Sequence, residues 1–473
     1  MKSLFQVYTS FIFLIALCSC RKFIEVSPPK TSLTGASVFE SNQTAAAAVT
    51  GLLESLRLNP PFGGGNGGMS VLFGLSSDEI GLYGSQDAMI NQTYKNALIS
   101  NNPAVFWNQM YNYIYQANAT INALDASTKV SMSLKNQLIG ESKLVRAISN
   151  FYLVNIYGDV PIVTRTDYLS NKLVARSPQQ EVYQQIILDL KDAQMLLTDG
   201  YAGPDGSPVT ERVRPNSAAA TALLARTYLY LQKWDSAEIE ATKVINDTKY
   251  HLNSDLNSVF LKNSNETIWN LEIPNTGYNT NDALSFLLAY FYNGGQPSVT
   301  YPFVVSDDLV NDFEPGDLRK LNWIISATVA SITYYFPYKY KLFYTGGAPE
   351  EYPALLRLAE QYLIRAEARA KLNDLFGASS DLNVIRNRAG LGSATQTSQG
   401  ELLSAIYKER RVELFTEYGH RWFDLKRTGR IDAVMGNITP KKGGTWESTD
   451  QLYPIPLPEI QADPNLVQNP GYN

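Results

Sequence analysis

The sequence has few of the residues on which catalysis and metal binding most often depend. Its 473 residues include two cysteines, Cys18 and Cys20, and two histidines, His251 and His420. Both cysteines lie at the end of an N-terminal apolar run. We therefore expect the mature chain to have no disulfide, no thiol nucleophile and no cysteine metal site. His420 lies in a charged helical stretch, where it is expected to be a hydrogen-bonded structural residue rather than a base.

Phosphate loops, serine-nucleophile elbows and EF-hand loops are also missing from the sequence. The glycine-rich stretch at 63–68, GGGNGG, is not followed by Gly-Lys-Ser/Thr and is predicted to be a surface loop. The formal net charge is −5 and no basic cluster offsets it, which argues against a nucleic-acid partner. We expect no metal and no cofactor.

Only one long apolar run is present, and it lies at the N-terminus. Lys2 is followed by the run from Leu4 to Leu17, which is too short for a membrane span and fits a secretory signal. The ending Leu17-Cys18-Ser19-Cys20 resembles a bacterial lipobox. Residues 1–19 are thus predicted to be a lipoprotein signal peptide, with Cys20 lipidated and 20–34 forming a tether. Lipidation at Cys18 is the less favoured alternative, because bulky Leu17 would precede the cut. A cytosolic protein with a chance apolar start is another.

Helical patterns dominate the rest of the chain, so a mainly α fold is predicted. Apolar residues recur at helical spacing in nine stretches, and Trp107 falls on the apolar face of one of them. We expect Trp107 to be a core residue. The predicted helices cover 38–57, 105–127, 134–157, 178–198, 216–231, 234–247, 355–373, 376–389 and 399–429.

Two pairs of these helices share a spacing of small and large residues. Small residues let paired helices approach closely, and large residues fill the gap between them, as in tetratricopeptide repeats. Generic antiparallel helix pairs use alanine in the same way. The matching residues are Ala225, Leu231, Trp234 and Ala237 in one pair, and Ala366, Leu372, Leu375 and Ala378 in the other.

Long segments between the helices are the places where a ligand is expected. Residues 59–104 are rich in Gly, Asn and Ser, 250–304 mix strand-like pieces with aromatic loops, and 323–345 could form a hairpin. Tyrosines beside amides suit glycans, because sugars have flat C–H faces ringed by hydroxyls. These tyrosines could instead pack the loops themselves. The candidate ligand-binding residues are Tyr278, Tyr290, Tyr292, Asn293, Gln296 and Tyr301, with Tyr83, Tyr94 and Asn101 from an earlier loop.

Paired carboxylates are the one catalytic arrangement that composition leaves open, since two acids distant in sequence can converge in space. Asp78-Glu79 and Asp307-Asp308 are candidates by position. The competing interpretation is that they cap turns and helices.

A charged stretch near the C-terminus combines many ions with many aromatic residues. On one continuous helix, Glu409, Glu413, Glu417 and Arg421 would lie on one side. Leu414, Phe415, Tyr418 and Trp422 would cover an adjoining apolar face. This pattern predicts a buried helix whose charges are paired, with Glu413, Glu417 and Arg421 in one network.

Several strings of the chain together resemble the SusD/RagB family of outer-membrane nutrient-binding lipoproteins. The resemblance implies a single, mainly α domain over 35–473, with a helical scaffold of tetratricopeptide-like pairs to about 250 and a C-terminal part from about 251. The strings are FIEVSPPKTSLTG at 23–35, GESKLVRAISNFYLVNIYGDVPIV at 140–163, DLVNDFEPGDLRK at 308–320, KERRVELFTEYGHRWFDLKRT at 408–428 and LYPIPLPEIQADPNLVQNPGYN at 452–473.

The resemblance also implies a function without catalysis. A protein of this kind would sit lipid-anchored at the outer membrane, facing the cell surface, and capture a glycan or oligosaccharide for a SusC-like TonB-dependent transporter. The family strings contain no ligand-binding residues, so none is assigned from them. Two alternatives remain: a lipid-anchored glycoside hydrolase with paired carboxylates, and a tetratricopeptide scaffold lipoprotein that binds only protein.

Overall fold

The computed structural model describes residues 38–101, 106–274 and 277–472. The predicted signal peptide, Cys20 and the tether at 20–34 lie outside these residues. Within them, no helix is long and apolar enough to cross a membrane.

Helices make up most of the described chain, as the sequence predicts. In the first part they are α1 (Asn42–Leu58), α2 (Pro60–Gly63), α3 (Met69–Ser76), α4 (Ala88–Tyr94), α5 (Phe106–Ala126), α6 (Met132–Tyr157), α7 (Tyr168–Asn171), α8 (Gln179–Leu196), α9 (Ser217–Tyr230) and α10 (Trp234–Ile245). In the second part they are α11 (Asn281–Tyr292), α12 (Asp307–Val310), α13 (Leu318–Trp323), α14 (Leu358–Lys371), α15 (Leu375–Arg388), α16 (Gln399–Leu414), α17 (His420–Arg427), α18 (Ile431–Ile438) and α19 (Leu457–Ala462).

The described strands are short and form two-stranded antiparallel ladders. They are β1 (Ile80–Leu82), β2 (Tyr201–Ala202), β3 (Pro208–Val209), β4 (Thr267–Asn270), β5 (Phe303–Val305), β6 (Ile324–Val329), β7 (Ile332–Pro337) and β8 (Ala354–Arg357). The ladders are β1–β5, β2–β3, β4–β8 and β6–β7. In the last ladder Ile324 pairs with Pro337 and Val329 with Ile332, which confirms the predicted hairpin.

Polar residues begin many of these helices by accepting a backbone N–H in the first turn. Asn216 accepts from Ala219 at the start of α9, and Ser398 accepts from Glu401 at the start of α16. Such caps satisfy donors that have no partner within the helix. Eight of the nine predicted helices match an observed helix within four residues at each end; the exception is 399–429.

The helices stack in chain order, each packed against its neighbours. Helix α5 packs on α6, α6 on α8, α8 on α9, and α9 on α10; the series continues through α14 to α15 and α16. The two predicted pairs are therefore α9–α10 and α14–α15, with Ala225, Ala237, Ala366 and Ala378 fully buried between helices. Trp107 is also buried, as predicted. A smaller core lies under α11 and the β6–β7 hairpin.

The prediction of one continuous helix over 399–429 is wrong, because the helix is interrupted in the middle. Helix α16 ends at Leu414 and α17 begins at His420, because Thr416, Tyr418 and Gly419 adopt positive φ angles of 53°, 45° and 80°. The break turns Phe415 and Tyr418 into the core, where both are buried. Arg421 consequently lies on a different helix from Glu413.

A buried ion network surrounds the end of α16. Arg357 donates to Glu413 and Glu417 at 2.6 and 2.7 Å, and Arg319 donates to Glu413 at 3.0 Å. Lys339 donates to Glu417 at 2.5 Å. The members of the network whose side chains are buried are Glu266, Asp317, Arg319, Lys339, Arg357, Arg388, Glu409, Glu413 and Glu417. Glu413 and Glu417 thus share a network as predicted, but Arg421 does not belong to it.

The stretch at 308–320 is divided between two short helices, α12 and α13. Helix α12 ends at Val310, and Phe313 turns inward against Phe415, with 5.9 Å between ring centroids. Asp317 then caps α13 by accepting the backbone N–H of Arg319.

Candidate functional site

Exposed aromatic side chains gather on the side of the molecule formed by α11 and the β6–β7 hairpin. Large apolar residues that stay in contact with solvent and with one another are typical of a binding surface. The exposed rings are Tyr83 (51%), Tyr278 (55%), Phe291 (49%), Tyr292 (66%) and Tyr344 (57%). Together with the partly buried Phe343, they are called the aromatic surface below.

Ring contacts join five of these six side chains into two groups, which the adjacent residues Phe343 and Tyr344 link along the chain. The Tyr278 and Tyr344 centroids lie 5.2 Å apart, and Phe343 lies 6.0 Å from Phe291 and 5.8 Å from Tyr292. The backbones at 278 and 344 also form an antiparallel bridge, which fixes the two loops to each other.

Further ring contacts extend from Phe291 to the hairpin, and a separate contact joins the hairpin to the loop after β1. Tyr290 packs on Phe291 and on Phe336 of β7, with centroids 5.2 and 6.2 Å apart. Tyr334 lies two residues from Phe336 on the same strand face and meets Tyr83 edge-on at 6.3 Å.

Helix α11 is held in place from its first turn. Thr280 caps it by accepting from Ala283, and Asn281 donates to the carbonyl of Gly63 at 2.9 Å. Ser285 is 2.8 Å from the side chain of Asn66. The GGGNGG stretch that the sequence predicts to be a surface loop is therefore the support on which the aromatic helix rests.

A tight turn after α11 brings the predicted amides to the surface. Asn293 donates to the carbonyl of Gln296 at 2.6 Å, and both side chains are exposed. Gly295 has a φ of +78°, and a Cβ added there would lie 2.0 Å from the Cβ of Ala327 on β6. Only glycine fits this contact between the turn and the hairpin.

The predicted ligand-binding residues have different environments. Tyr83, Tyr278 and Tyr292 belong to the aromatic surface, whereas Tyr290 and Tyr301 are partly buried and pack on the smaller core. The prediction that Tyr290 and Tyr292 lie on a loop is wrong, since both are on α11. Asn101 is exposed and lies in a turn between α4 and α5.

A cleft of about 340 Å³ adjoins the aromatic surface at Tyr83. Tyr83 and Tyr94 line it together with Asp307, Asp308 and Lys442. Lys442 donates to the carbonyls of Leu75 and Ser77 and lies 5.2 Å from the Tyr94 ring centroid. The lysine therefore caps the end of α3 while forming one wall of the cleft.

The candidate acid pair Asp78-Glu79 is a structural pair in which each carboxylate has its own backbone or arginine contacts. Asp78 accepts from Arg421 at 2.7 Å and lies 2.9 Å from Arg411. Burial alone would raise the pKa of Asp78, but Arg421 and Arg411 outweigh it and lower the pKa to about 2. Glu79 accepts from the backbone of Thr416 at 3.2 Å, and burial raises its pKa to about 7. Asp307 and Asp308 lie in the first turn of α12, which Ser306 caps.

No group of three or more His, Cys, Asp or Glu side chains in the described residues could hold a metal ion.

Sequence reasoning missed Phe291, Phe343 and Tyr344, which supply three of the six aromatic-surface rings. The adjacent pair Phe343-Tyr344, near the end of the segment 323–345, was the available signal. The proximity of Tyr344 to Tyr278 could not be predicted, because it depends on the backbone bridge between the two loops.

Two family descriptions match the sequence. The SusD family matches residues 326–472, and a family described as starch-binding and associating with the outer membrane matches residues 22–229. Together the two matches cover most of the chain.

Individual proteins that are similar to this chain carry SusD-like names as well. SusD-like protein P25 of Formosa agariphila is 24% identical, with 98% of each chain aligned. Starch-binding protein SusD of Bacteroides thetaiotaomicron is 35% identical over 124 residues, 25% of this chain and 21% of that protein. A solved laminarin-binding SusD-like protein shares the fold, with a TM-score of 0.74 and 23% identity over 92% of this chain and 100% of that one.

Proposed function

The chain belongs to the SusD/RagB family, and on this premise we propose that it captures a glycan or oligosaccharide nutrient on the aromatic surface. The captured ligand would be passed to a SusC-like TonB-dependent transporter in the outer membrane. The relatives' names support the ligand class, since one is called starch-binding and another laminarin-binding.

The observation that carries the proposal is the group of exposed rings around Phe343 and Tyr344. Exposed rings offer flat apolar faces to sugar C–H groups, while Asn293 and Gln296 at the end of α11 offer donors and acceptors to hydroxyls. Because the rings are already in contact with one another, little ordering is needed when a ligand binds. A surface of this kind gives modest affinity and allows release to a transporter.

Binding should be measured with a set of glycans, including laminarin and starch oligosaccharides, by calorimetry on the folded protein. We expect Tyr292→Ala and Tyr344→Ala each to weaken binding by about 1–2 kcal/mol, because each removes an exposed ring. Stability should change by no more than about 0.5 kcal/mol, as for other exposed positions.

The matched control is Tyr115→Ala, which removes a similarly exposed tyrosine (54%) from α5. If the ring variants bind as tightly as the Tyr115 variant, the aromatic surface is not the glycan site. Glycan turnover by the purified protein would instead favour the glycoside hydrolase alternative.

We also propose that Cys20 carries the lipid anchor, on the basis of the lipobox-like Leu17-Cys18-Ser19-Cys20 sequence. Replacing Cys20 with serine should abolish labelling by a fatty-acid analogue and leave the precursor unprocessed. Cys18→Ser is the control and should still be labelled. Labelling that depends on Cys18 instead would move the anchor to that residue, and protease treatment of whole cells would show which face the protein occupies.

A further inference from the structure

A cleft of about 760 Å³ lies on the helical scaffold, between the end of α6, the start of α8, the end of α9, and α17. It shares no lining residue with the aromatic surface or with the Tyr83 cleft. Side-chain amides predominate on its walls: Gln179, Gln180, Gln184, Gln232 and Gln451.

Four of these five amides have no hydrogen-bond partner among the described residues. They are the side chains of Gln179, Gln180, Gln184 and Gln232, and all four are exposed. Each amide can donate two hydrogen bonds and accept others. Peptide groups offer the same pairing of N–H and C=O along an extended chain.

The charged residues of the cleft are all cations. Lys233, Lys426 and Arg427 line it, and no aspartate or glutamate is among the described lining residues. Arg427 is already neutralised by Glu367, 2.6 Å away, and by Asp424, 2.7 Å away. Lys233 and Lys426 therefore supply the unbalanced positive charge, in a chain whose formal net charge is −5.

Of the three cations in the cleft, Lys426 is the one that a bound anion would stabilise most. Its ammonium donates to the backbone carbonyl of Asn155 near the end of α6, and it forms no salt bridge within the described chain. Burial lowers the pKa of Lys426 to about 7, and no neighbouring charge offsets that effect. A half-buried ammonium with two unused donors is stabilised by an incoming carboxylate.

Aromatic platforms are missing from this cleft, which distinguishes it from a sugar site. Of its two lining tyrosines, Tyr183 is buried and donates to Asn155 at 3.0 Å. The ring of Tyr230 packs on Phe151 at 4.9 Å and is covered by the Arg427 guanidinium at 5.5 Å. Neither ring is free to stack on a ligand.

We propose that this cleft binds an extended acidic segment of a protein partner, with Lys426 and Lys233 facing its carboxylates and the glutamine amides facing its backbone. Grooves on stacked helix pairs offer extended surfaces of this kind. The inference is independent of glycan binding, which the proposed function places on other elements of the molecule.

Fluorescently labelled hexaglutamate and hexaglutamine are suitable probes, measured by anisotropy at pH 6 and low salt on the intact protein. Hexaglutamate should bind even though the net charge of the protein repels it, and hexaglutamine should bind much more weakly. Lys426→Gln should weaken hexaglutamate binding by about tenfold, the loss of one close charge pair. Gln184→Glu, an exposed change that adds a repelling charge, should do the same without affecting the fold.

The control is Lys129→Gln, which makes the same charge change at an exposed turn far along the chain from the cleft. Absence of hexaglutamate binding, equal losses in the Lys129 and Gln184 variants, or full binding by folded Lys426→Gln would each overturn the proposal. So would Lys426-dependent binding of oligogalacturonate in place of hexaglutamate, since the site would then take an acidic glycan. Laminarin and starch binding should be unchanged in these variants, which separates this test from that of the aromatic surface.

Discussion

At the scale of single residues, this protein keeps many charges out of water, and each depends on partners from distant parts of the chain. Glu413 is fully buried and contacts Arg319, Arg357 and Arg388 at 3.0, 2.6 and 2.5 Å. Removing one partner of such a network leaves the others buried and unpaired, which costs far more than losing a surface ion pair.

Glu413→Ala is therefore expected to lower the free energy of unfolding by about 3 kcal/mol or more. Urea denaturation would measure it, with Glu350→Ala as the control, since Glu350 is an exposed carboxylate. Glycan affinity should stay unchanged well below the melting temperature, because the network does not reach the aromatic surface. Lost binding at unchanged stability would show that the network belongs to the binding site.

Glu79 differs from Glu413 in having no arginine paired with its buried carboxyl, one oxygen of which, Oε1, lacks a partner among the described residues. Its pKa is raised to about 7, so the folded state favours the protonated form. Stability from this group is complete below its ordinary pKa of 4.5 and is lost as pH rises to about 7. The loss is about 3 kcal/mol for a shift of this size.

Glu79→Gln should remove this loss, because the amide keeps the acceptor for the Thr416 N–H and cannot ionise. Unfolding free energies at pH 5 and pH 8 would test it: the variant should exceed the wild type by about 3 kcal/mol at pH 8 and by less than about 1 kcal/mol at pH 5. Equal pH dependence in both proteins would mean that Glu79 is not the titrating group.

At the scale of elements, the break between α16 and α17 decides how the C-terminal part packs. Gly419 has a φ of +80°, and a Cβ added there would lie 2.8 Å from the ring of Phe73 on α3. A side chain at this position is strained by its backbone and blocked by a buried ring.

Gly419→Ala should destabilise the protein by about 2–3 kcal/mol, from the left-handed backbone and the overpacking together. Thermal unfolding would measure this, with Gly429→Ala as the control. Gly429 also has a positive φ, +67°, but nothing lies within contact distance of an added Cβ. The difference between the two variants isolates the contact with Phe73, and equal losses would show that backbone strain alone matters.

Element boundaries were predictable where local pattern and packing agree, as for α9 and α14. Helix α11 was missed for a physical reason. Its buried face carries Ala283, Phe286 and Leu287, but Phe291 and Tyr292 on its exposed side are apolar too. These exposed rings hide the amphipathic pattern that normally reveals a helix. The break before α17 was missed because Thr416 and Tyr418, which adopt positive φ there, are residue types that seldom do so.

At the scale of the whole molecule, the two parts separated near residue 250 share one core. The main cluster of buried side chains runs from Leu52 on α1 to Leu466 near the C-terminus, and α10 packs directly on α14. We therefore propose that 35–473 is a single domain. Calorimetry should show one cooperative unfolding transition, and two separable transitions would divide the chain into two domains.

Acid should destabilise this domain through its paired carboxylates. Burial opposes ionisation of Glu360, but Arg226 and its neighbours lower the pKa to about 2; Asp78 also has a pKa of about 2. Their stabilisation is complete above the ordinary values near 4 and is lost as pH falls toward 2, by about 2–3 kcal/mol each. Asp78→Asn should reduce the fall in unfolding free energy between pH 4 and pH 2. An unchanged fall would show that other groups cause it.

The β6–β7 hairpin gives this architecture a simple route to new specificities. Its two-residue turn, Ala330-Ser331, has both residues at positive φ, and neighbouring Ile332 is exposed. The hairpin pairs only within itself among the described strands, so lengthening it would disturb no other ladder. A longer hairpin would project beside Tyr334 and Tyr83. On the proposed function, it would change the length or branching of the glycan chain that can bind there. Natural variation and engineering can therefore act at this tip while the helical scaffold stays constant.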